Sequence, residues 1–143
     1  MKKIILVLVL ATMAISLNSC SSDDSSPSGT VNFKIDGVQK TLKIIDVGQY
    51  KNLEGTPDEF TQISVFASSR TEDGAVEFSF KKGDLGNVIT DFTYILGGDV
   101  GYQMSSGFST DVTSSGDDKK LIGTFSGNVD GFTFTEGSFN IQY

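Results

Sequence analysis

The chain has 143 residues, enough for one ordinary domain, with 38% hydrophobic residues, 16 Gly, 2 Pro, 11 Phe, 4 Tyr and neither Trp nor His. That aromatic content excludes disorder over most of the length. The net charge of −7 argues against nucleic-acid binding, which concentrates Lys and Arg, and against electrostatic adsorption to anionic lipid. With no imidazole, Ser-His-Asp and Cys-His catalysis and His-based zinc or iron sites are excluded too.

Lys2 and Lys3 precede an apolar run over residues 4–15 that Thr12 alone interrupts. Such a run is too short for a bilayer-spanning helix, which takes about 20 residues, and suits the core of a secretory signal. Leu17-Asn18-Ser19-Cys20 follows. It resembles the lipobox of bacterial lipoproteins: an apolar residue, two small ones, then Cys, with Asn18 bulkier than the usual occupant. The resemblance implies cleavage between Ser19 and Cys20, a diacylglycerol thioether on Cys20 and acylation of the new amino group. Cys20 is the sole Cys of the chain, so once alkylated it leaves no thiol for a disulfide, a nucleophile or a metal. A single acyl chain holds a protein marginally, at roughly 0.8 kcal/mol per buried methylene, whereas two or three anchor it stably.

Loss of residues 1–19 removes two lysines and no acid, leaving nine basic against eighteen acidic residues, a charge of −9. Residues 20–29 then read as a lipidated, Ser/Asp-rich flexible tether with no apolar side chain after Cys20. The tract is either a plain hydrophilic spacer or, by resemblance, the acidic export tract of surface-displayed lipoproteins. The expected location is the outer membrane, on its periplasmic or its exposed face.

Over residues 30–143 the hydrophobic pattern has period two, the mark of half-buried strands. Val31, Phe33 and Ile35 alternate with polar residues up to Asp36-Gly37, a hairpin signal, and residues 38–45 return. Ile63, Val65 and Ala67 form the next inward row, and Asp73-Gly74 turns into Val76, Phe78 and Phe80. Between these strands Thr56-Pro57-Asp58-Glu59 resembles a capping box with room for one helical turn at most. Val88, Phe92, Tyr94 and Leu96 lead to a turn at Gly97-Gly98-Asp99. Two weaker strands, 100–104 and 108–112, lie in a Ser/Gly-rich stretch.

Leu121 and Phe125 open a strong strand that turns at 128–131. Phe132 and Phe134 then sit on one parity, while Phe139, Ile141 and Tyr143 sit on the other. The spacing predicts a β-bulge at Glu136-Gly137 that restores the phase. The fold expected is all-β: an antiparallel meander of about eight strands, closed as a β-sandwich or a small barrel.

The opening hairpin Phe33-Lys34-Ile35-Asp36-Gly37 and the ending Gly123-Thr124-Phe125 … Glu136-Gly137-Ser138-Phe139-Asn140-Ile141-Gln142-Tyr143 resemble a family of small Gram-negative lipoproteins. These have a lipobox signal peptide and an all-β mature domain, with an F-x-x-x-G opening hairpin and G-x-F strands at the end. Its members often carry Trp shortly after the opening Gly, and residues 38–42 here have none. The resemblance implies a sandwich or barrel at the cell envelope and implies no reaction.

Candidate chemistry is sparse. Glu77 and Asp91 are the candidate carboxylate pair on strands, and a glycosidase needs two at about 5–5.5 or 6.5–9.5 Å; both fall on the expected outer face. Asp58-Glu59, Glu72-Asp73 and Asp117-Asp118 are adjacent acids in loops that fit solvated turns better than calcium ligands. No metal or cofactor is expected. Phe66, on an outer face, and Tyr102 and Phe108, near loops, are the ligand-binding candidates, with Tyr50 beside them. The expected function is a non-enzymatic binding or structural module, held to the membrane through Cys20 and contacting an unknown protein or small-molecule partner. The alternatives are a carrier with a hydrophobic ligand in a barrel cavity and a carboxylate-dependent glycan hydrolase.

Overall fold

The computed structural model describes residues 26–69, 74–97, 100–116 and 118–143. Cys20 and Ser19, residues 70–73, Gly98-Asp99 and Asp117 lie outside the described residues. The described chain forms nine antiparallel strands in one curled, half-barrel sheet. They are β1 (Ser28–Ile35), β2 (Val38–Asn52), β3 (Phe60–Ser68), β4 (Ala75–Lys81), β5 (Asp91–Leu96), β6 (Val100–Gln103), β7 (Ser109–Ser115), β8 (Lys120–Val129) and β9 (Phe132–Gln142). The sheet order is β6-β5-β4-β3-β2-β1-β9-β8-β7.

Chain neighbours pair throughout except β6 with β7, and β1 pairs with β9 instead. Strand direction explains the exception. In a nine-strand meander with every neighbour antiparallel, first and last strands run the same way. Here β1 and β9 are antiparallel, so one chain-neighbour pair must run parallel, and that pair is β6 and β7. A parallel connection takes a dozen or more residues, and only 104–108 join these two. They cannot pair, and the gap in the barrel falls between them.

Connecting segments clasp the gap. The Gly86 and Val112 amides each donate to the other's carbonyl at 2.8 Å, tying the β4–β5 connection to the free edge of β7. Asn87 Oδ1 accepts from the Thr110 amide at 2.8 Å and its hydroxyl at 3.0 Å. On the other side of the gap the Ser105 amide donates to the Asn128 carbonyl at 2.9 Å, beside a bridge from Met104 to Val129.

The concave face is packed with the inward rows. Phe33, Ile63, Val65, Phe78, Phe80, Phe92, Phe125, Phe134, Phe139 and Ile141 are all buried. Phe134 shows how rings from several strands meet: it lies 5.0 Å from Phe33, 5.6 Å from Phe92 and 5.5 Å from Tyr94. On the paired strands β8 and β9, each phenyl covers the glycine opposite it. Gly123 stands across from Phe139 and Gly137 across from Phe125, and a Cβ on either glycine would sit 2.5 Å from the facing ring. That close approach explains why two glycines survive inside strong strands.

The expected bulge is present. Asn32 pairs with Ser138 and Lys34 with Thr135, so Glu136 and Gly137 together face one residue of β1. Glu136 has φ 52° and directs its carboxylate to Lys34 Nζ at 2.6 Å. Phe134 and Phe139 thereby both point inward. Thr56–Glu59 forms turns and no helix.

Two boundaries differ from the sequence expectation. β1 begins at Ser28, because Gly29 takes φ 126° and lets the backbone lie against Asn140 of β9, where a Cβ would come within 2.2 Å of its carbonyl oxygen. β2 runs on to Asn52 rather than ending near Ile45; a bulge between Ile44 and Asp46 resets its phase against β3. Beyond Thr30↔Lys43 nothing described pairs with β2 on the β1 side, and β4 pairs with β3 as far as Gln62↔Lys81, after which the Lys82 amide donates to the Thr61 carbonyl at 2.8 Å. The ends of β2 and β3 therefore leave the barrel as a two-stranded ribbon. The ribbon emerges at the entry end, where β1 starts and β9 finishes.

Candidate functional site

The ribbon and the β4–β5 connection frame the described pocket. Asn52 opposes Phe60 and Gln62 opposes Lys81, which places Phe60, Gln62 and Lys81 on the outer face near the ribbon's root. Asp84, Val88 and Thr90 come from the β4–β5 connection, and the inward Phe80 forms part of the floor. The resulting cavity holds about 280 Å³. Lys81 Nζ stands 5.4 Å over the Phe60 ring, within cation–π range. A ring, an amide, an ammonium and a carboxylate around one small depression could hold a small polar ligand. No two of its polar groups are arranged as nucleophile and base.

The tip of the ribbon is held by its own polar contacts. The Leu53 carbonyl accepts from the Thr56 amide at 3.0 Å and its hydroxyl at 2.7 Å. The Glu59 carboxylate accepts the Gly55 amide at 2.9 Å and lies 3.6 Å from Lys51 Nζ. The Gly55 hydrogen bond first, then the Lys51 charge, holds the Glu59 carboxyl below its ordinary range. This turn replaces the expected capping box: Glu59 reaches back to Gly55 instead of Thr56.

The ligand-binding candidates are not brought together. Tyr102 is half-buried, 4.9 Å from Phe132 and 6.5 Å from Tyr94; Phe108 is half-buried, 4.7 Å from Phe92. Both pack against the core at the rim of the gap. Phe66 sits alone on the outer face between Asp46 and Glu77. Tyr50, also outward, lays its ring over Gly48. The aromatic set thus forms no common platform.

Glu77 and Asp91 are exposed diagonal neighbours on the outer face, since Glu77 pairs with Thr93 and Ser79 with Asp91. The pocket does not reach them. Among the described residues no three acidic side chains converge as a metal site. Of the calcium candidates, Asp58-Glu59 is described, and Glu59 is engaged by Gly55 and Lys51. Asp118 is exposed, and Glu72-Asp73 and Asp117 fall outside the described residues.

Sequence reasoning missed the pocket and the Asn87–Thr110 clasp. Both join residues twenty or more positions apart from different elements, a juxtaposition that leaves no periodic trace. Among the described residues no helix is long and apolar enough to cross a membrane, which says nothing of strands. No family model, no curated protein and no solved structure matches the chain.

Proposed function

We propose that the protein is a lipid-anchored component of the bacterial outer membrane, attached through Cys20 and acting as a non-enzymatic binding or structural module. One observation carries the reading: the sole Cys follows an apolar leader directly and stands eight residues before β1. Two or three acyl chains at that point would hold a domain of charge −9 that has no electrostatic affinity for anionic lipid. The periplasmic and the exposed face both remain compatible with this attachment.

The packed interior weighs against a carrier with a barrel cavity, because phenyl rings meet where a hydrophobic ligand would lie. The open outer position of Glu77 and Asp91 weighs against a glycan hydrolase, which has to enclose its sugar. Cys20→Ala should yield uncleaved precursor that takes up no labelled palmitate, read by gel mobility and autoradiography. Continued labelling would remove the anchor from the proposal. Turnover of envelope polysaccharide that disappears in Glu77→Gln or Asp91→Asn would overturn its non-enzymatic part.

A further inference from the structure

Six large hydrophobic side chains are exposed among the described residues, and four of them, Ile45, Tyr50, Leu53 and Leu85, lie toward the end where the anchor would draw the domain to lipid; the last two stand outside the strands. Leu53 (57% exposed) is the tip of the β2–β3 ribbon and Leu85 (59%) lies in the β4–β5 connection, both at the entry end. Val38 (58%) and Val100 (52%) are as exposed but stand at the far end, after the β1–β2 turn and at the start of β6.

Leu53 is anomalous in its backbone as well. It adopts φ 54°, a left-handed conformation that bulky residues rarely take and that Gly or Asn occupies at little cost. The turn would form more easily with either, so the isobutyl group is there despite the backbone. Strain of this kind concentrates at functional positions.

Lengths decide what the tip meets. Continuing the Thr30↔Lys43 register, Ser28 stands level with Ile45. From Ile45 to Leu53 is eight residues, of which the bulge at Ile45 absorbs one, and from Ser28 back to Cys20 is eight residues. Along the strand the ribbon therefore passes Ser28 by ~23 Å, or ~18 Å along the barrel axis at the ~40° tilt usual for barrels. Eight residues span roughly 16 Å on average as a random coil and ~29 Å at full stretch. At that average span the connection to Cys20 is shorter than the ribbon. At full stretch the tip trails Cys20 by only ~11 Å.

We infer that the Leu53 tip, with Leu85 at the same end of the sheet, inserts into the headgroup region of the bilayer that carries the lipid anchor and fixes the domain with its entry end against the membrane. The inference rests on the anchor at Cys20 and goes beyond it, since an anchored domain could tumble freely on its tether. Charge does not drive the contact. Lys51 is shared between Glu54 at 3.8 Å and Glu59 at 3.6 Å, and with Asp58 the ribbon end carries three acids to one base. The leucines supply the attraction, and anionic lipid weakens it.

The test uses the mature lipoprotein in phosphatidylcholine vesicles. Acylation consumes the Cys20 thiol, so Leu53→Cys, Leu85→Cys, Val38→Cys and Val100→Cys each offer one labelling site for an environment-sensitive fluorophore. Nitroxide-lipid quenching should be strongest at position 53, intermediate at 85 and near background at 38 and 100. It should fall when a third of the lipid is phosphatidylglycerol. Leu53→Gly, which relieves the backbone, should leave thermal stability equal or higher yet halve quenching at position 85.

Equal quenching at all four positions, or none at 53 in protein that floats with the vesicles, overturns the insertion and leaves the anchor standing. Protein that neither labels with palmitate nor floats overturns the anchor, and the insertion falls with it.

Discussion

The two halves of the β2–β3 hairpin are one pair of strands put to different uses. In the half inside the barrel, Leu42, Ile44, Ile63, Val65 and Ala67 are buried, each facing rings or aliphatic chains from other strands. Toward the tip Tyr50, Lys51 and Leu53 are exposed; β2 has lost β1 as a neighbour there, and β3 keeps only the Lys82 amide on its Thr61 carbonyl and Lys81 over its Phe60 ring. Backbone pairing is continuous across both. A hydrogen-bonded ladder therefore does not by itself bury anything; a third layer of side chains does. Isolated two-stranded ribbons are marginal in water, and this one persists because the barrel fixes its root.

The largest break in that comparison comes from truncation inside the barrel. Phe134 is fully buried among Phe33, Phe92 and Tyr94. Phe134→Ala should lower unfolding free energy by about 3–5 kcal/mol, the usual cost of emptying an aromatic core site. Tyr50→Ala on the ribbon should stay within about 0.5 kcal/mol, as exposed substitutions do. Urea denaturation of both variants measures the contrast. Similar losses would show that the ribbon shares the cooperative core.

A smaller break lies at the gap between β6 and β7. Asn87 Oδ1 serves both the amide and the hydroxyl of the buried Thr110. Asn87→Ala leaves a buried donor without its acceptor and should cost about 1–3 kcal/mol. Asn87→Asp keeps the oxygen and should recover most of that, with Thr110 amide exchange slow again. Equal loss in both variants would mean that the clasp works by packing.

What the sequence made legible follows the same division. Alternation exposed every strand that faces the core, and the opposite parities of Phe134 and Phe139 located the bulge at Glu136-Gly137. Residues 46–52 escaped because only Val47 among them packs against the core, so Gly48-Gln49-Tyr50-Lys51 carries no alternation to read. The gap escaped because it depends on β1 pairing with β9, a contact across the whole length of the chain. Tyr102 and Phe108 looked like surface aromatics from their Ser/Gly-rich surroundings. A curled sheet draws such loop residues into its rim, and there they meet Phe132 and Phe92. The proposed anchor at Cys20 rests on the sequence alone, because a targeting signal is read in the unfolded chain.

The smallest expected effect tests whether the ribbon tip is ordered in solution. Glu59 lies at the surface, yet the Gly55 amide and then Lys51 hold its carboxyl below 4.5, its ordinary value. A carboxyl depressed in the folded state lends its stabilisation above its unfolded value and loses it as pH falls through the folded one. The Gly55 amide chemical shift should therefore titrate with a midpoint below 4.5, and Glu59→Gln should abolish the transition. Salt separates the two causes. Exposed Lys51 is screened, whereas a direct amide contact is not. Because the Gly55 contribution is the larger, the midpoint should stay depressed in 0.5 M salt. Full return to 4.5 would assign the depression to Lys51, and a tip held only by exposed charge would be too loose to present Leu53 in one place.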